Sequence, residues 1–235
     1  MEDTRSDKVL KYKKGEPMNS ELFERYFVGD DCVCWSFGDK IDIEVNKKAL
    51  YLYRRFRNSP LFSDLPLYDV VPSYKAIAVF YDPATKNVQE MIEKIEAFLG
   101  GCLSSYTTDS EHDIKKVVIP IVYDGEDLSQ VAELHNITIK EVIKKHTAPV
   151  YQVAMVGFKP YFPYLVGLDE GLTTPRLDNP RTSIPAGAVG IGGAQTGIYP
   201  EESPGGWNLI GRTNPELLKQ IKPGDIVLMR EVKDL

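Results

Sequence analysis

The last third of the sequence places planar and hydroxylic polar side chains among closely spaced glycines and prolines. Between Gly157 and Thr213 lie 11 of the 18 glycines and 7 of the 16 prolines. Its polar side chains include those of Arg176, Arg181, Gln195, Thr196, Tyr199 and Arg212. Guanidinium, amide and hydroxyl groups on a braced backbone can hold a carboxylate or a phosphate. The segment therefore predicts an anion-binding site or a charged interface.

A plainer explanation exists for both the glycines and the arginines. The glycines can serve tight hairpins, and SPGGW predicts a type II turn with Pro204 and Gly205 at its two central positions. The arginines can pair with acids on a solvated rim, where ion pairs contribute little. The nearby acids are Asp169, Glu170, Asp178 and Glu201. The residue types alone leave both explanations open.

The glycine-rich run GIGGAQTG does not match a familiar nucleotide-binding loop. The dinucleotide fingerprint GxGxxG needs glycine where Gln195 stands, and a Walker loop needs a lysine, which is missing between Lys159 and Lys219. No GxSxG or HExxH motif occurs, and the three histidines are not spaced as zinc ligands. We therefore expect no complete ATP site, no metal site and no familiar hydrolase motif in this chain.

Charge and cysteine content exclude several classes of protein. The formal net charge of -6 gives no overall attraction to nucleic acid or to an anionic membrane. Three cysteines without a CxxC pair argue against a disulfide framework and favour a reducing cytoplasm. No apolar run approaches the ~18 residues that a membrane span needs. We expect a cytoplasmic protein with neither nucleic acid nor membrane as a partner.

Apolar spacing predicts an α/β organisation in the first half of the chain. Strand-like runs cover 31–38, 74–82 and 116–124, and residues at helical spacing follow the first two runs. The second helix is expected to end at Gly100 and Gly101, a C-terminal signal. We predict a polar extension over 1–23, a small α/β domain over 24–103 and a second domain over 114–235, with the polar stretch 104–113 between the two domains.

The second domain is predicted to begin with two short helices and to continue as a barrel-like β structure. The first helix is expected at 127–135, and the second begins at Thr138, which forms a capping box with Glu141. The pair resembles a helix-turn-helix, but nearby acids cancel its lysines, which argues against DNA binding. Near the C-terminus, TNPELLKQ predicts a helical turn with Pro215 near its first position, followed by a closing strand.

Two further features permit a functional or a structural interpretation. His146 follows the second of these helices, where it could act as a general base or be a satisfied structural histidine, the commoner case. The segment GFKPYFPYLVGL, Gly157 to Leu168, interleaves aromatic residues with prolines. It could form a buried corner or an exposed protein-binding ridge, because prolines reduce the entropy lost on association.

Long segments of the sequence resemble the KipI-like family, which includes the allophanate-hydrolase-subunit-1 type. The resemblance runs nearly without gaps from Tyr123 to Thr213, through GFKPYFPYL, IPAGAVGIGGAQTGIYP and SPGGWNLIGRT. GDKIDIEVN and VPSYKAIAVFYDP extend it into the first half. One departure is Tyr161, where the family pattern GFxPGFPYL has glycine. Tyrosine at that position needs negative φ or is strained.

The resemblance implies a fold and an activity. The fold is a small α/β N-terminal domain followed by a cyclophilin-like β-barrel domain. The activity is that of a non-autonomous subunit of an ATP-dependent 5-oxoprolinase complex, which hydrolyses 5-oxo-L-proline to L-glutamate. The implied partners are the C subunit of 5-oxoprolinase, in direct contact, and its A subunit, and ATP is used by the complex. The alternative is a regulatory binding protein that inhibits a sensor histidine kinase, as KipI does.

The resemblance also implies roles for individual residues. His146 is the candidate catalytic residue, with Asp124 as a second candidate. A substrate site shared with the C subunit is implied for Arg176, Arg181, Gln195, Tyr199, Trp207 and Arg212. Phe158, Phe162 and Tyr164 are expected to pack at the contact between subunits or at the barrel corner beside it.

Overall fold

The computed structural model describes residues 22–40, 42–107 and 114–235. The chain divides into two compact units, Met1–Glu111 and His112–Leu235. The division falls inside the polar stretch that the sequence predicted as a boundary. The predicted extension over 1–23 lies, up to residue 21, outside the described residues. The α/β class expected from the sequence is confirmed.

The first unit is a four-stranded antiparallel sheet with helices packed on one face. Its strands are β1 (Glu24–Val28), β2 (Cys32–Ser36), β3 (Leu67–Pro72) and β4 (Ala76–Tyr81), in the spatial order β1-β2-β4-β3. Its helices are α1 (Ile43–Arg57), α2 (Pro60–Asp64) and α3 (Val88–Ser104). Alternation along β2 turns Val33 and Trp35 toward the helices, where both are fully buried in the core.

The predicted end of α3 at Gly100 and Gly101 is wrong, because the helix continues to Ser104. Neither glycine adopts the positive φ of a C-terminal cap. Beyond them Cys102 is buried in the core and Leu103 packs against it. This packing outweighs the roughly 1 kcal/mol by which each glycine disfavours a helix interior.

The second unit is a seven-stranded sheet that curls until its two edges meet. Its strands are β5 (Lys116–Ile121), β6 (Val150–Val156), β7 (Pro163–Val166), β9 (Ala188–Gly192), β10 (Gln195–Ile198), β12 (Asn208–Arg212) and β13 (Ile226–Glu231). The spatial order is β12-β9-β10-β7-β6-β13-β5. Val122, directly after β5, exchanges two backbone hydrogen bonds with Arg212 at the end of β12, of 3.0 and 2.9 Å. The barrel-like arrangement expected from the sequence is therefore confirmed.

A two-stranded ribbon and two helices complete this unit. The ribbon pairs β8 (Arg181–Ile184) with β11 (Ser203–Gly205), and the helices are α4 (Leu128–Leu134) and α5 (Ile139–Thr147). The capping box at Thr138 and Glu141 is confirmed, with both reciprocal hydrogen bonds present. Pro215–Gln220 forms a 3-10 helix capped by Asn214, and β13 follows it, also as expected.

The type II turn predicted for SPGGW is wrong, because Ser203–Gly205 belongs to β11. Gly205 does not have positive φ. Its lack of a side chain is explained by close packing instead, since a Cβ atom would collide with the hydroxyl of Tyr199. Glycine is common both in turns and where another group approaches the backbone closely, so the residue type alone did not distinguish the two cases.

Replacing Gly101 by alanine should stabilise the first unit by roughly 0.5–1 kcal/mol. Gly101 is exposed within α3, and an added Cβ would contact no atom within 4 Å. The measurement is the urea midpoint of unfolding followed by Trp35 fluorescence in a Trp207→Phe background. Gly29→Ala is the control that should destabilise, because Gly29 has a φ of 68°. A lower midpoint for Gly101→Ala would contradict this account of α3.

Candidate functional site

The curled sheet has an inner face filled by the core and an outer face that carries an aromatic cluster. Alternation along β10 turns Thr196 and Ile198 inward, so that Gln195 and Gly197 face outward. We use "aromatic cluster" for Phe162, Tyr164, Tyr199 and Trp207, which pack together on the outer face of β7, β9, β10 and β12. The substrate-binding residues predicted from the sequence lie around this cluster or on the strands that carry it.

Three glycines on β9 and β10 make the surface on which Trp207 lies. A Cβ atom added to Gly192 would be 2.5 Å from Nε1 of Trp207, and one added to Gly197 would be 2.9 Å from Cζ3. A Cβ atom on Gly190 would be 3.1 Å from Cβ of Trp207. The indole is only 5% exposed. Gly190, Gly192 and Gly197 of GIGGAQTG therefore leave room for the indole ring, whereas Gly193, with a φ of 65°, lies in the turn between β9 and β10.

Phe162 is the centre of the aromatic cluster. Its ring centroid lies 4.9 Å from that of Tyr164, 5.1 Å from that of Tyr199 and 5.7 Å from that of Trp207. Phe162 is 2% exposed, whereas Phe158, which contacts it edge-on, is 57% exposed. Of the three residues expected at a contact between subunits, Phe162 thus packs as a corner residue and Phe158 presents a free aromatic surface.

The loop between β6 and β7 holds two aromatic residues in left-handed backbone conformations. Phe158 has a φ of 68° and Tyr161 a φ of 69°, and Tyr161 is half exposed. Tyr161, which stands where the family pattern has glycine, therefore adopts a positive φ, and the resulting backbone strain costs on the order of 1 kcal/mol. The loop is fixed by a hydrogen bond from Phe162 N–H to the carbonyl of Lys159, 3.1 Å, and by an ion pair of Lys159 with Glu201, 2.9 Å.

Two of the three candidate arginines are neutralised by carboxylates. Arg181 pairs with Glu126 through Nε at 2.9 Å and with Asp127 through Nη2 at 2.7 Å. The other oxygen of Asp127 accepts the backbone N–H of Leu209 at 2.7 Å, so this buried acid joins α4 to β12 and β8. Arg212 forms an exposed pair with Asp124 at 2.8 Å. These acids are not the ones that the sequence suggested as partners for the arginines.

Arg176 differs from the other two arginines. Its side chain is exposed, and no carboxylate among the described residues pairs with it. Its guanidinium carbon lies 5.8 Å from the ring centroid of Trp207, a cation–π contact. The guanidinium is therefore held against the aromatic cluster while its charge remains available to an anion.

His146 is a fully buried member of a closed hydrogen-bond network. Its Nε2 lies 2.9 Å from the hydroxyl of Thr196, and its Nδ1 lies 2.7 Å from the hydroxyl of Tyr123. Thr196 donates its hydroxyl proton to the carbonyl of Gly190, so it must accept from Nε2–H. Full burial lowers the pKa of His146 and so favours the neutral imidazole, in which Nδ1 accepts the hydroxyl proton of Tyr123. With both nitrogens occupied and no exposed surface, the geometry favours a structural role for His146.

The comparisons with solved structures define the class of protein. The protein TTHA0988 matches with a TM-score of 0.72 and 32% identity over 87% of this chain and 40% of that one. The K. lactis urea amidolyase matches with a TM-score of 0.71 over 92% of this chain and 15% of that one, and its 18% identity shows the fold alone. This chain therefore spans less than half of either solved protein, and its fold is that of a carboxyltransferase-like domain.

The sequence comparisons then give the family. The profile of the carboxyltransferase domain, subdomain C and D, matches residues 23–225, and the chain belongs to this family. The B subunit of 5-oxoprolinase from Bacillus subtilis is 36% identical over 220 residues, which cover 85% of this chain and 89% of that protein. The Haemophilus influenzae protein of the same name is 54% identical over 111 residues, 46% of this chain and 52% of that protein.

Two kinds of feature are missing from the described part of the chain. It contains no group of three or more His, Cys, Asp or Glu side chains that could hold a metal ion. None of its helices has the length and apolar character that a membrane crossing requires.

The buried neutral state of His146 should make the second unit less stable in acid. Burial lowers the pKa of His146 from 6.5 to about 3. Between these values the unfolded chain binds a proton that the folded chain does not. Stability should therefore fall as the pH decreases from about 6.5, by up to ~1.4 kcal/mol per pH unit. Urea unfolding followed by Trp207 fluorescence in a Trp35→Phe background measures this slope. His146→Gln should have a shallower slope, and an identical one would contradict the prediction.

The substitution Gly192→Ala should displace the indole of Trp207. The added methyl group would overlap Nε1 and Cδ1, so we expect a loss of roughly 1–3 kcal/mol in the stability of the second unit. A red shift of Trp207 emission and a lower urea midpoint are the measurements. Gly206→Ala is the matched control, because a Cβ atom there would have its nearest contact at an ordinary 3.6 Å. Equal effects of the two substitutions would refute the packing argument.

Proposed function

We propose that this chain is a non-autonomous subunit of an ATP-dependent 5-oxoprolinase complex that hydrolyses 5-oxo-L-proline to L-glutamate. One observation carries the proposal: the 36% identity with the B subunit of 5-oxoprolinase from Bacillus subtilis extends over 85% of this chain and 89% of that protein. The Escherichia coli protein of the same name adds 32% identity over 86% of this chain and 93% of that protein. The C subunit of 5-oxoprolinase is the proposed direct partner, and the complex is completed by the A subunit.

The described residues support dependence on a partner. The histidine predicted as the catalytic residue is buried and neutral, and both of its nitrogens are already bonded. The arginines around the aromatic cluster can hold and orient a substrate. They cannot act as a general base, because guanidinium groups do not exchange protons near neutral pH. A base, a nucleophile or a nucleotide site on another subunit would complete the reaction.

The chemistry explains why such a reaction consumes ATP. A five-membered lactam is a resonance-stabilised amide, and its ring tends to re-form after opening. Transfer of a phosphoryl group from ATP to the lactam oxygen, with ADP as the leaving group, gives a better electrophile. Water then adds at the same carbon, and the ring C–N bond breaks as the nitrogen takes up a proton, which leaves an acyl phosphate of glutamate. A second water hydrolyses this acyl phosphate to glutamate and phosphate. Cationic groups favour both the transferred phosphoryl group and the developing oxyanion. We propose that Arg176, Gln195, Tyr199 and Trp207 lie at this shared site. We propose that Arg181 and Arg212, which are already paired with carboxylates, lie at its edge.

The proposed contact with the partner uses the exposed aromatic loop next to the same cluster. Phe158 and Tyr161 expose aromatic side chains on a backbone that is held in a left-handed conformation. Because this backbone is already fixed, the two residues lose little entropy on association. The ring centroid of Tyr164 lies 5.8 Å from that of Trp207, so the contact surface and the arginine site are continuous through the aromatic cluster. This continuity supports a site that is completed by the partner.

Reconstitution tests the proposed function. The A and C subunits of 5-oxoprolinase from the same organism are incubated with 5-oxoproline and ATP, with and without this chain, and glutamate release is measured. We expect glutamate only when the chain is present. The Arg230→Ala variant, which changes an exposed arginine on β13, should be as active as the unaltered chain. Folded subunits that assemble but release no glutamate would contradict the proposal and shift attention to inhibition of a histidine kinase.

A further inference from the structure

The three arginines near the aromatic cluster are not equivalent as anion binders. Arg181 is balanced by Glu126 and Asp127, and Arg212 by Asp124. An additional anion at either residue would meet the repulsion of these carboxylates. Arg176 has no carboxylate partner among the described residues, and its guanidinium is exposed. Of the three, it alone offers an uncompensated positive charge.

The backbone on both sides of Arg176 is fixed. The side-chain amide of Asn208 donates to the carbonyl of Pro175 at 2.8 Å, and Leu177 N–H donates to the carbonyl of Gly206 at 2.8 Å. Both partners flank Trp207, the residue whose ring the guanidinium contacts. A cation–π contact consumes none of the five N–H donors of the guanidinium. Arg176 is thus oriented before any ligand arrives, which reduces the entropy lost on binding.

The surroundings of Arg176 suit a small, partly apolar anion. Burial raises the pKa of the Tyr164 and Tyr199 hydroxyls, and the charge of Arg176 opposes this rise at both residues. The guanidinium lies over Trp207, whose ring centroid is 5.8 Å from that of Tyr164, so aromatic surface lies next to the charge. One free guanidinium matches the single charge and the planar oxygens of a carboxylate. A nucleotide polyphosphate would require several uncompensated cations, whereas Arg176 is the only one of the three arginines without a carboxylate partner among the described residues.

We propose that Arg176 binds the carboxylate of 5-oxo-L-proline and so determines which lactams the complex accepts. The inference rests on the proposed function and adds the residue that recognises the charged end of the substrate. The lactam ring would lie beside the aromatic cluster, and its carbonyl would face the groups that the partner provides. A lactam without the carboxylate, 2-pyrrolidinone, would have no charge for Arg176 to hold and would bind weakly.

The test compares two substrates, with the unaltered chain and three variants of it, in the reconstituted complex. Arg176→Ala should raise KM for 5-oxoproline about 10- to 100-fold with little change in kcat, the loss expected for a charge-assisted hydrogen-bonded pair. It should leave KM for 2-pyrrolidinone unchanged, so that the preference for 5-oxoproline falls by the same factor. Arg176→Lys should be intermediate, because it keeps the charge and loses the paired donors. Arg230→Ala is the matched control and should match the unaltered chain on both substrates.

Binding and assembly measurements keep this inference separate from the proposed function. Calorimetry of 5-oxoproline with the complex, without ATP, should show the same weakening for Arg176→Ala, about 10- to 100-fold. Size-exclusion chromatography should show intact complexes for every variant. If the unaltered complex releases glutamate but Arg176→Ala has an unchanged KM, or only fails to assemble, Arg176 is not the carboxylate anchor. If the unaltered complex neither binds nor hydrolyses 5-oxoproline, the proposed function and this inference both fail.

Discussion

The closure of the seven-stranded sheet is the constraint on which the second unit depends. The end of β5 and the end of β12 meet through the backbone hydrogen bonds of Val122 and Arg212. Gly211 permits this approach, because a Cβ atom there would lie 2.5 Å from the carbonyl oxygen of Val122. Once the edges are joined, every strand has one face in the core and one face outside. Side chains along each strand therefore alternate between the core and the outer face of the sheet.

The outer face shows how small residues make room for large ones. Gly190, Gly192 and Gly197 lie where alternation turns their Cα atoms outward, and Trp207 occupies the space that their missing side chains leave. The indole in turn supports the guanidinium of Arg176. These three glycines are thus explained by the packing of one aromatic ring, and the guanidinium that contacts this ring belongs to a residue that directly follows Pro175.

The electrostatic pattern separates residues that hold the fold from residues that can meet a ligand. Asp127 uses one oxygen for Arg181 and the other for the backbone of β12, so this pair connects three elements of the unit. Removing one partner of such a pair would leave a poorly compensated buried charge. The pair of Arg212 with Asp124 is exposed and contributes little to stability. The same residue type therefore has three different roles at positions 176, 181 and 212.

The sequence predicted elements well where the signal is local. The capping box at Thr138 and the helical spacing of α1 depend on residues within a few positions of each other, and both are confirmed. The prediction at Gly205 was wrong because glycine marks a close approach as readily as a turn, and the prediction at Gly101 was wrong because core packing of Cys102 and Leu103 extends the helix past it. The pairing of Arg181 with Asp127, 54 positions apart, depends on the closed sheet and has no counterpart in local spacing. The grouping of the predicted site residues around the aromatic cluster follows from that closure too.

The network around His146 bears on where chemistry can occur in a protein of this kind. Thr196 faces inward from β10, and Gln195 beside it faces outward, so two adjacent residues belong to opposite sides of the same strand. The inner side keeps a neutral histidine between Tyr123 and Thr196, with both ring nitrogens paired, and it therefore adds rigidity without adding reactivity. The outer side carries an uncompensated guanidinium and strained, exposed aromatic residues. In the proposed complex the reactive groups come from a partner surface that covers this outer face, and the division between the two sides of β10 is the physical argument for that proposal.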